Sequence, residues 1–182
     1  MNLVERLVKE VENHRKRIVI IGDAMVDRWV HGHIAPCQDG CSKFVQEMVC
    51  ETPGGAGNAQ QCLSNWAVDI ELYAHWTEGR GTKTRFVGRD GKIVFRHDQD
   101  ALAGVVYDQT RKNSLRWVEC AAGVLLSDYD KGLLAPEFIR QVADLCRRLS
   151  IPCVADVKRA PEVYVGCILK CNEDYAIKYA IE

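Results

Sequence analysis

No stretch of this 182-residue chain approaches the roughly 20 consecutive apolar residues that a membrane-spanning helix needs. Its first residues, MNLVERLVKEVENHRKR, are charged throughout and lack the apolar centre of a signal peptide, so a cytoplasmic location is expected. Neither sign of charge dominates: 24 Lys and Arg stand against 25 Asp and Glu, a net charge of -1. That balance gives no electrostatic reason to expect nucleic acid or an anionic membrane as a partner. Several chemistry-bearing motifs are also missing. There is no G-x-S-x-G, no H-E-x-x-H and no G-x-G-x-x-G, and GRGTKT at 79–84 fails as a P-loop because no Gly directly precedes Lys83. Repeats and low-complexity tracts are absent as well.

Cysteine, by contrast, is abundant. The nine residues Cys37, Cys41, Cys50, Cys62, Cys120, Cys146, Cys153, Cys167 and Cys171 fall mostly in apolar runs such as CLSNWAV and CAAGVLL. They read as small buried hydrophobes in a reduced compartment. A zinc or redox pair is the sharper alternative. Cys167 and Cys171 fall on an expected strand, where i and i+4 lie about 13 Å apart, too far for one tetrahedral ion. Cys37 and Cys41 remain as the candidate pair, and no metal site is assigned.

With 47% apolar residues the chain can build one real core. Residues 2–16 carry Leu3, Leu7, Val8 and Val11 at helical spacing, and RIVIIGD at 17–23 reads as a buried parallel strand. Residues 28–34 and 43–50 alternate loosely around a Pro/Gly/Asp loop, as a hairpin standing off the main sheet. TPGGAGNAQQCLSNWA is a Gly-rich turn entering a helix, and VDIELYAH is a strand. TKTRFVG and KIVFRHD flank an Asp90–Gly91 turn as a second hairpin. Residues 104–119 read as helix. AAGVLLSDYD, APEFIRQVADLCRRLS, IPCVADVK and GCILKCNED then alternate strand, helix, strand, strand, which implies a mostly parallel sheet flanked by helices. The helix among them has Pro136 in its first turn and a stripe at Phe138, Ile139, Val142, Leu145 and Leu149. DYAIKYAIE starts a further helix.

In such sheets ligands sit at the carboxyl ends of the strands. Asp23 and Asp27 follow the first strand, Asp128 and Lys131 a later one, Asp156 and Lys158 the next, and Asn172 the last. PGGAGNA at 53–59 brings Gly54, Gly55 and Asn58 to the start of a helix, where bare backbone amides approach a ligand. Arg80, Lys83, Arg85, Arg89 and Arg96 form a basic cluster on the second hairpin, either a solvated face or a phosphate-holding one. His31 and His33 read as a solvated pair.

In order, IIGDAMVDRWVHG, ETPGGAGNA, TKTRFVGRDGKIVFRHDQD, GVLLSDYDKGLL, IPCVADVKR and GCILKCNED resemble segments of the ribokinase-like (PfkB family) carbohydrate kinases, nearest the bacterial heptose-phosphate kinases. The resemblance implies an α/β ribokinase-like fold with a small β-lid at about 28–34 and 43–50. Residues 1–182 would make one reduced domain, truncated at its C-terminal side. It further implies that Asp27, Gly54, Gly55 and Asn58 contact a sugar and that Asp23 supports them. Lys83, Arg85 and Arg96 would lie near a phosphate, with Asp128 and Lys131 completing the substrate side and Asn172 facing nucleotide phosphates or magnesium.

The chain departs from the family pattern at Val157, Lys170–Cys171 and Tyr175. It also lacks the Gly-Ala-Gly-Asp helix start, and its segment between Tyr73 and Thr82 is short. The expectation is therefore a reduced kinase-like protein that binds a sugar or sugar phosphate without phosphoryl transfer on its own. The alternatives are a true carbohydrate kinase completed by a partner chain or oligomer, with ATP and Mg2+ entering only then, and a structural or interaction module. A homo-oligomer or a second protein is expected to cover an open sheet edge.

Overall fold

A computed structural model describes Glu5 and residues 17–66, 69–74, 81–100 and 107–180. The helix expected over 2–16, Arg80 of the basic cluster and the start of the helix expected over 104–119 lie outside these residues. Two sheets organise the rest. The first is parallel throughout, with the order β4-β1-β7-β8-β9. Its strands are β1 (Arg17–Gly22), β4 (Ile70–Tyr73), β7 (Ala121–Ser127), β8 (Cys153–Asp156) and β9 (Ile168–Lys170). β1 and β7 are central, and their unbroken apolar runs suit strands covered on both faces. Val19, Ile20, Ile21 and Leu126 have no exposed surface. Burying each such side chain contributes about 1.5–3 kcal/mol.

Among residues 17–180 that are described, four α-helices accompany this sheet: α1 (Ala56–Ser64), α2 (Asp108–Val118), α3 (Pro136–Arg148) and α4 (Glu173–Tyr179). α3 begins on Pro136 and turns Phe138, Ile139, Val142, Ala143 and Cys146 into the core. The expected stripe is corrected at its end. The helix stops at Arg148, so Leu149 caps it and stays exposed, while Cys146 fills the position facing the sheet.

The second sheet has the order β3-β2-β5-β6 and holds the strands expected to form the lid. It comprises β2 (Ala24–Pro36), β3 (Ser42–Gly55), β5 (Gly81–Gly88) and β6 (Ile93–Gln99). The lid strands expected at 28–34 and 43–50 are therefore longer than the alternation suggested. The second hairpin, with its turn at Gly91 (φ 79°), is not a separate unit: β5 runs parallel to β2 and fuses the two hairpins into one sheet. Phe44, Phe86 and Phe95 pack across it, with ring centroids 5.2 and 5.4 Å apart. Gly32 permits this packing, because a Cβ there would lie 2.7 Å from the Phe44 ring.

The reading of the cysteines as buried hydrophobes is also corrected. Cys146 and Cys153 are buried, whereas Cys41, Cys50, Cys62 and Cys120 are exposed and Cys37, Cys167 and Cys171 are half-exposed. Apolar neighbours in sequence do not bury a cysteine that falls on an outer helix face, as Cys62 does on α1, or just past a helix end, as Cys120 does after α2.

Candidate functional site

Asp23 and Asp27 are four residues apart but occupy different environments. Asp23, 4% exposed, sits between β1 and β2. Its Oδ2 accepts the backbone N–H groups of Tyr129 and Lys131 at 3.0 and 3.1 Å, and its Oδ1 that of Leu133 at 3.2 Å. Its own N–H donates to the Ser127 carbonyl and its carbonyl accepts from Ala56, so it ties the loop after β7 to the start of α1. Burial pushes its carboxyl above the ordinary value, outweighing the three N–H donors that pull the other way.

Asp27 lies on β2, opposite Thr52 on β3 and Lys83 on β5. Its Oδ1 accepts from Arg85 at 2.7 Å. Its Oδ2 faces Gly54, where an added Cβ would stand 2.7 Å away. Gly55 holds φ 59°, and a Cβ there would meet the Asp23 carbonyl at 2.2 Å, so both glycines are required by close approach. α1 then starts at Ala56, and Asn58 projects outward from its first turn with its amide exposed. The structure thus brings Asp27 against Gly54 and Asp23 against Gly55, while Asn58 stands on the exposed side of the first turn of α1.

The expected cations divide into engaged and open ones. Arg85 is fixed by Asp27 and stacks over Trp29, 4.6 Å from the ring centroid. Arg96 is paired with Asp98, and Lys131 with Asp100. Lys83 is different. Its Nζ lies 5.1 Å from the Tyr129 ring centroid, and Lys158 reaches the same ring from β8's end at 5.8 Å. Burial pulls the Lys83 ammonium below its ordinary value, with Asp27 opposing. Tyr129 is a residue the sequence reading passed over. It sits inside SDYDKG, and an aromatic flanked by two cations is the signal that only the folded chain supplies.

Asp128 is placed differently from a ligand-facing carboxylate. Its side chain has no exposed area and is consumed by Arg159, by the Tyr164 hydroxyl at 2.6 Å and by the Asp130 N–H at 2.8 Å. Beyond it the carboxyl ends of β7, β8 and β9 frame a cleft of about 430 Å3 whose lining includes Tyr129, Asp156, Lys158, Lys170, Asn172 and Asp174. Asn172 caps α4 by accepting the Tyr175 N–H at 2.9 Å, and Asp156 is paired with Lys170 at 2.9 Å. Among the described residues no three His, Cys, Asp or Glu side chains converge as a metal site.

The chain matches no protein-family model. It is similar to curated proteins called "Bifunctional protein HldE". That of Granulibacter bethesdensis is 27% identical over 183 residues, covering 82% of this chain and 38% of the relative. That of Hyphomonas neptunium is 28% identical over 193 residues, covering 86% and 39%. The chain thus spans less than half the length of these relatives.

Among solved structures, phosphofructokinase-2 from Escherichia coli in its tetrameric inhibited form aligns with a TM-score of 0.62 at 12% identity, covering 90% of this chain and 64% of that one. A carbohydrate kinase from Agrobacterium tumefaciens gives 0.59 at 15%, covering 90% and 63%. Ribokinase from Arabidopsis thaliana, complexed with ribose and ATP, gives 0.55 at 15%, covering 90% and 62%. The parallel sheet, the flanking helices and these alignments identify the chain as ribokinase-like in fold, and its sequence is similar to part of the bifunctional HldE proteins.

Proposed function

We propose that residues 1–182 act as one reduced ribokinase-like domain that binds a sugar or sugar phosphate where the lid meets the parallel sheet. Asp27, the backbone at Gly54 and Gly55, and the Asn58 amide take the sugar hydroxyls. Lys83, with Arg85 and Arg96 beside it, lies toward the phosphate. Asp23 and Asp128 position the loop that carries Tyr129 and Lys131. The observation that carries this reading is the fixing of the Asp27 carboxylate, with one oxygen held by Arg85 at 2.7 Å and the other packed on Gly54. A carboxylate, an amide and bare backbone amides in fixed geometry match a polyhydroxylated ligand. The Arabidopsis ribokinase of the same fold holds ribose and ATP, which supports the same ligand class here.

ATP belongs to this reading only where a partner chain or further segment completes the site at the ends of β8 and β9, with Asn172 toward its phosphates. The described donors there make no metal cage, so Mg2+ would arrive on the nucleotide, as it does where one or two carboxylates and phosphates hold it. On its own the chain binds without phosphoryl transfer. β9 stands at the end of its sheet, and Ile168 on it, Val165 before it and Ile177 after it are exposed, which supports a second copy or another protein covering that edge.

The test is calorimetric titration of sugars and sugar phosphates, heptose phosphates included, into the wild type and the Asp27→Ala and Asn58→Ala variants. Losing an ionised acceptor removes about 1.5–3 kcal/mol, so Asp27→Ala weakens binding by about tenfold to a hundredfold. Asn58→Ala, at an exposed position, weakens it severalfold without touching stability. Equal affinities in all three proteins, or no binding to the wild type at millimolar ligand, would overturn the proposal.

A further inference from the structure

The loop between β2 and β3 closes on its own cysteines. The Cys37 N–H donates to the Cys41 carbonyl at 2.9 Å, and the Gly40 N–H donates to the Cys37 carbonyl at 3.2 Å. Gly40, at φ 74°, supplies the left-handed residue that ends a three-residue hairpin loop. The neighbouring strand pair is Pro36 with Ser42, so Cys37 and Cys41 stand opposite each other one step further out. Directly opposed residues hold their Cβ atoms about 4.5–5.5 Å apart, close to the roughly 3.5–4.5 Å of a disulfide.

Both are also accessible, Cys37 half-exposed and Cys41 exposed. The Asp39 backbone N–H and the Cys41 thiol together pull the Cys37 thiol below its ordinary value. The Asp39 carboxylate, 3.8 Å from the Cys37 sulfur, opposes this shift. An accessible thiol directly opposite a second cysteine is the arrangement of redox-responsive pairs. The contrast lies in the core. Cys153 and Cys167 have sulfurs 3.6 Å apart, but Cys153 is 3% exposed. Contact with Cys146 and Cys167, together with burial, pushes the Cys153 thiol well up; Cys167 is half-exposed and its thiol is pulled down by Cys153, but the partner it would pair with is shut away from solvent.

We propose that Cys37 and Cys41 form a reversible disulfide site at the lid tip, with Cys37 as the attacking and Cys41 as the resolving thiol toward small-molecule disulfides. The Cys37 thiolate attacks one sulfur of RSSR; the S–S bond breaks, RS⁻ leaves and takes up a proton, and a Cys37–S–S–R mixed disulfide forms. Cys41 gives up its proton and attacks the Cys37 sulfur, expelling the second RS⁻. The protein loses two electrons, and RSSR becomes two RSH; excess thiol reverses both steps. The site is independent of the sugar reading and survives its failure.

The experiment exposes the full chain to oxidised glutathione, quenches with acid, alkylates the remaining thiols and digests with trypsin. Cleavage at Arg28 and Lys43 isolates residues 29–43, which contain Cys37 and Cys41 and no other cysteine. This fragment is expected to lose two hydrogens and escape alkylation before Cys50, Cys62 and Cys120 react. In Cys41→Ser the fragment should instead accumulate glutathione on Cys37, and in Cys37→Ser the remaining Cys41 should react more slowly than Cys37 does. The proposal falls if the wild-type fragment keeps both thiols free, or carries two glutathiones, while the other exposed cysteines are modified. It falls equally if the two single variants react at the same rate.

Discussion

Replacing Asp23 by Ala is expected to cost far more stability than replacing Asp27, although the two aspartates stand only four residues apart, one just before β2 and one within it. Asp23 holds three backbone N–H groups at 3.0–3.2 Å in a position only 4% exposed. Alanine leaves those donors without an acceptor, and each buried unsatisfied group costs about 1–3 kcal/mol. The loop from Tyr129 to Leu133 will relax and let water reach part of the set, so the net loss should be about 3–5 kcal/mol rather than the full sum. That is a large part of the roughly 5–15 kcal/mol by which a domain is stable. Asp27 makes one ion pair with Arg85, and its side chain keeps 24% exposure. Deleting such a partly solvated pair costs about 1 kcal/mol or less. Urea unfolding of the three proteins, followed by tryptophan fluorescence and circular dichroism, measures both losses. If Asp23→Ala loses no more than Asp27→Ala, the assignment of Asp23 to holding the loop and Asp27 to holding a ligand is wrong.

Two further outcomes follow from the same network. Asp23 has its folded pKa raised above 3.8, chiefly by burial, so its contribution to stability is fully present below the unfolded value and is lost as pH rises through the folded one. The wild type should therefore gain stability relative to Asp23→Asn as pH is lowered toward 3.8; a difference that stays flat, or shrinks, across that acid range would count against the shift. Tyr164→Phe removes a hydroxyl that donates to Asp128 at 2.6 Å and accepts the Lys158 and Arg159 N–H groups at 3.1 and 3.0 Å. Urea unfolding should show a loss of about 2–4 kcal/mol, since the site is buried and one partner is charged; a loss under about 0.5 kcal/mol, the range of an ordinary surface change, would refute it.

Much of the fold is written in local pattern. RIVIIG and AAGVLLS are continuous apolar runs, which only strands covered on both faces tolerate, and they became the central strands β1 and β7. Pro136 and the apolar stripe after it marked α3 to within a turn. The lid was less legible. β2 runs through Asp27 to Pro36, and the alternation that should have shown its length is blurred by its alternately half-buried and buried residues. Pairing between β2 and β5 leaves no local trace, because strands far apart in sequence are matched by the whole fold rather than by a turn. The two aspartates read alike for the same reason: nothing near Asp23 in the chain announces the N–H groups more than a hundred residues away that it accepts.

The parallel β2–β5 register is what gathers scattered motifs into the candidate site. It sets Lys83 opposite Asp27 and Arg85 opposite Trp29, with alternate residues on each strand sharing a face. Arg85 then reaches diagonally to Asp27 while stacking on Trp29, and Lys83 is left to reach the Tyr129 ring across the gap to the parallel sheet. A slip of one residue would send this whole set to the other face. The register is pinned from outside the site: Phe86 on β5 packs against Phe95 on the adjacent β6 and, across β2, against Phe44 on β3, and Gly32 on β2 gives Phe44 the room to reach it. An apolar cluster with no part in the chemistry therefore fixes where the charges fall. A carboxylate already held by Arg85 and packed on Gly54 has little rotamer freedom left to lose, and a ligand that meets such an acceptor is spared that ordering cost.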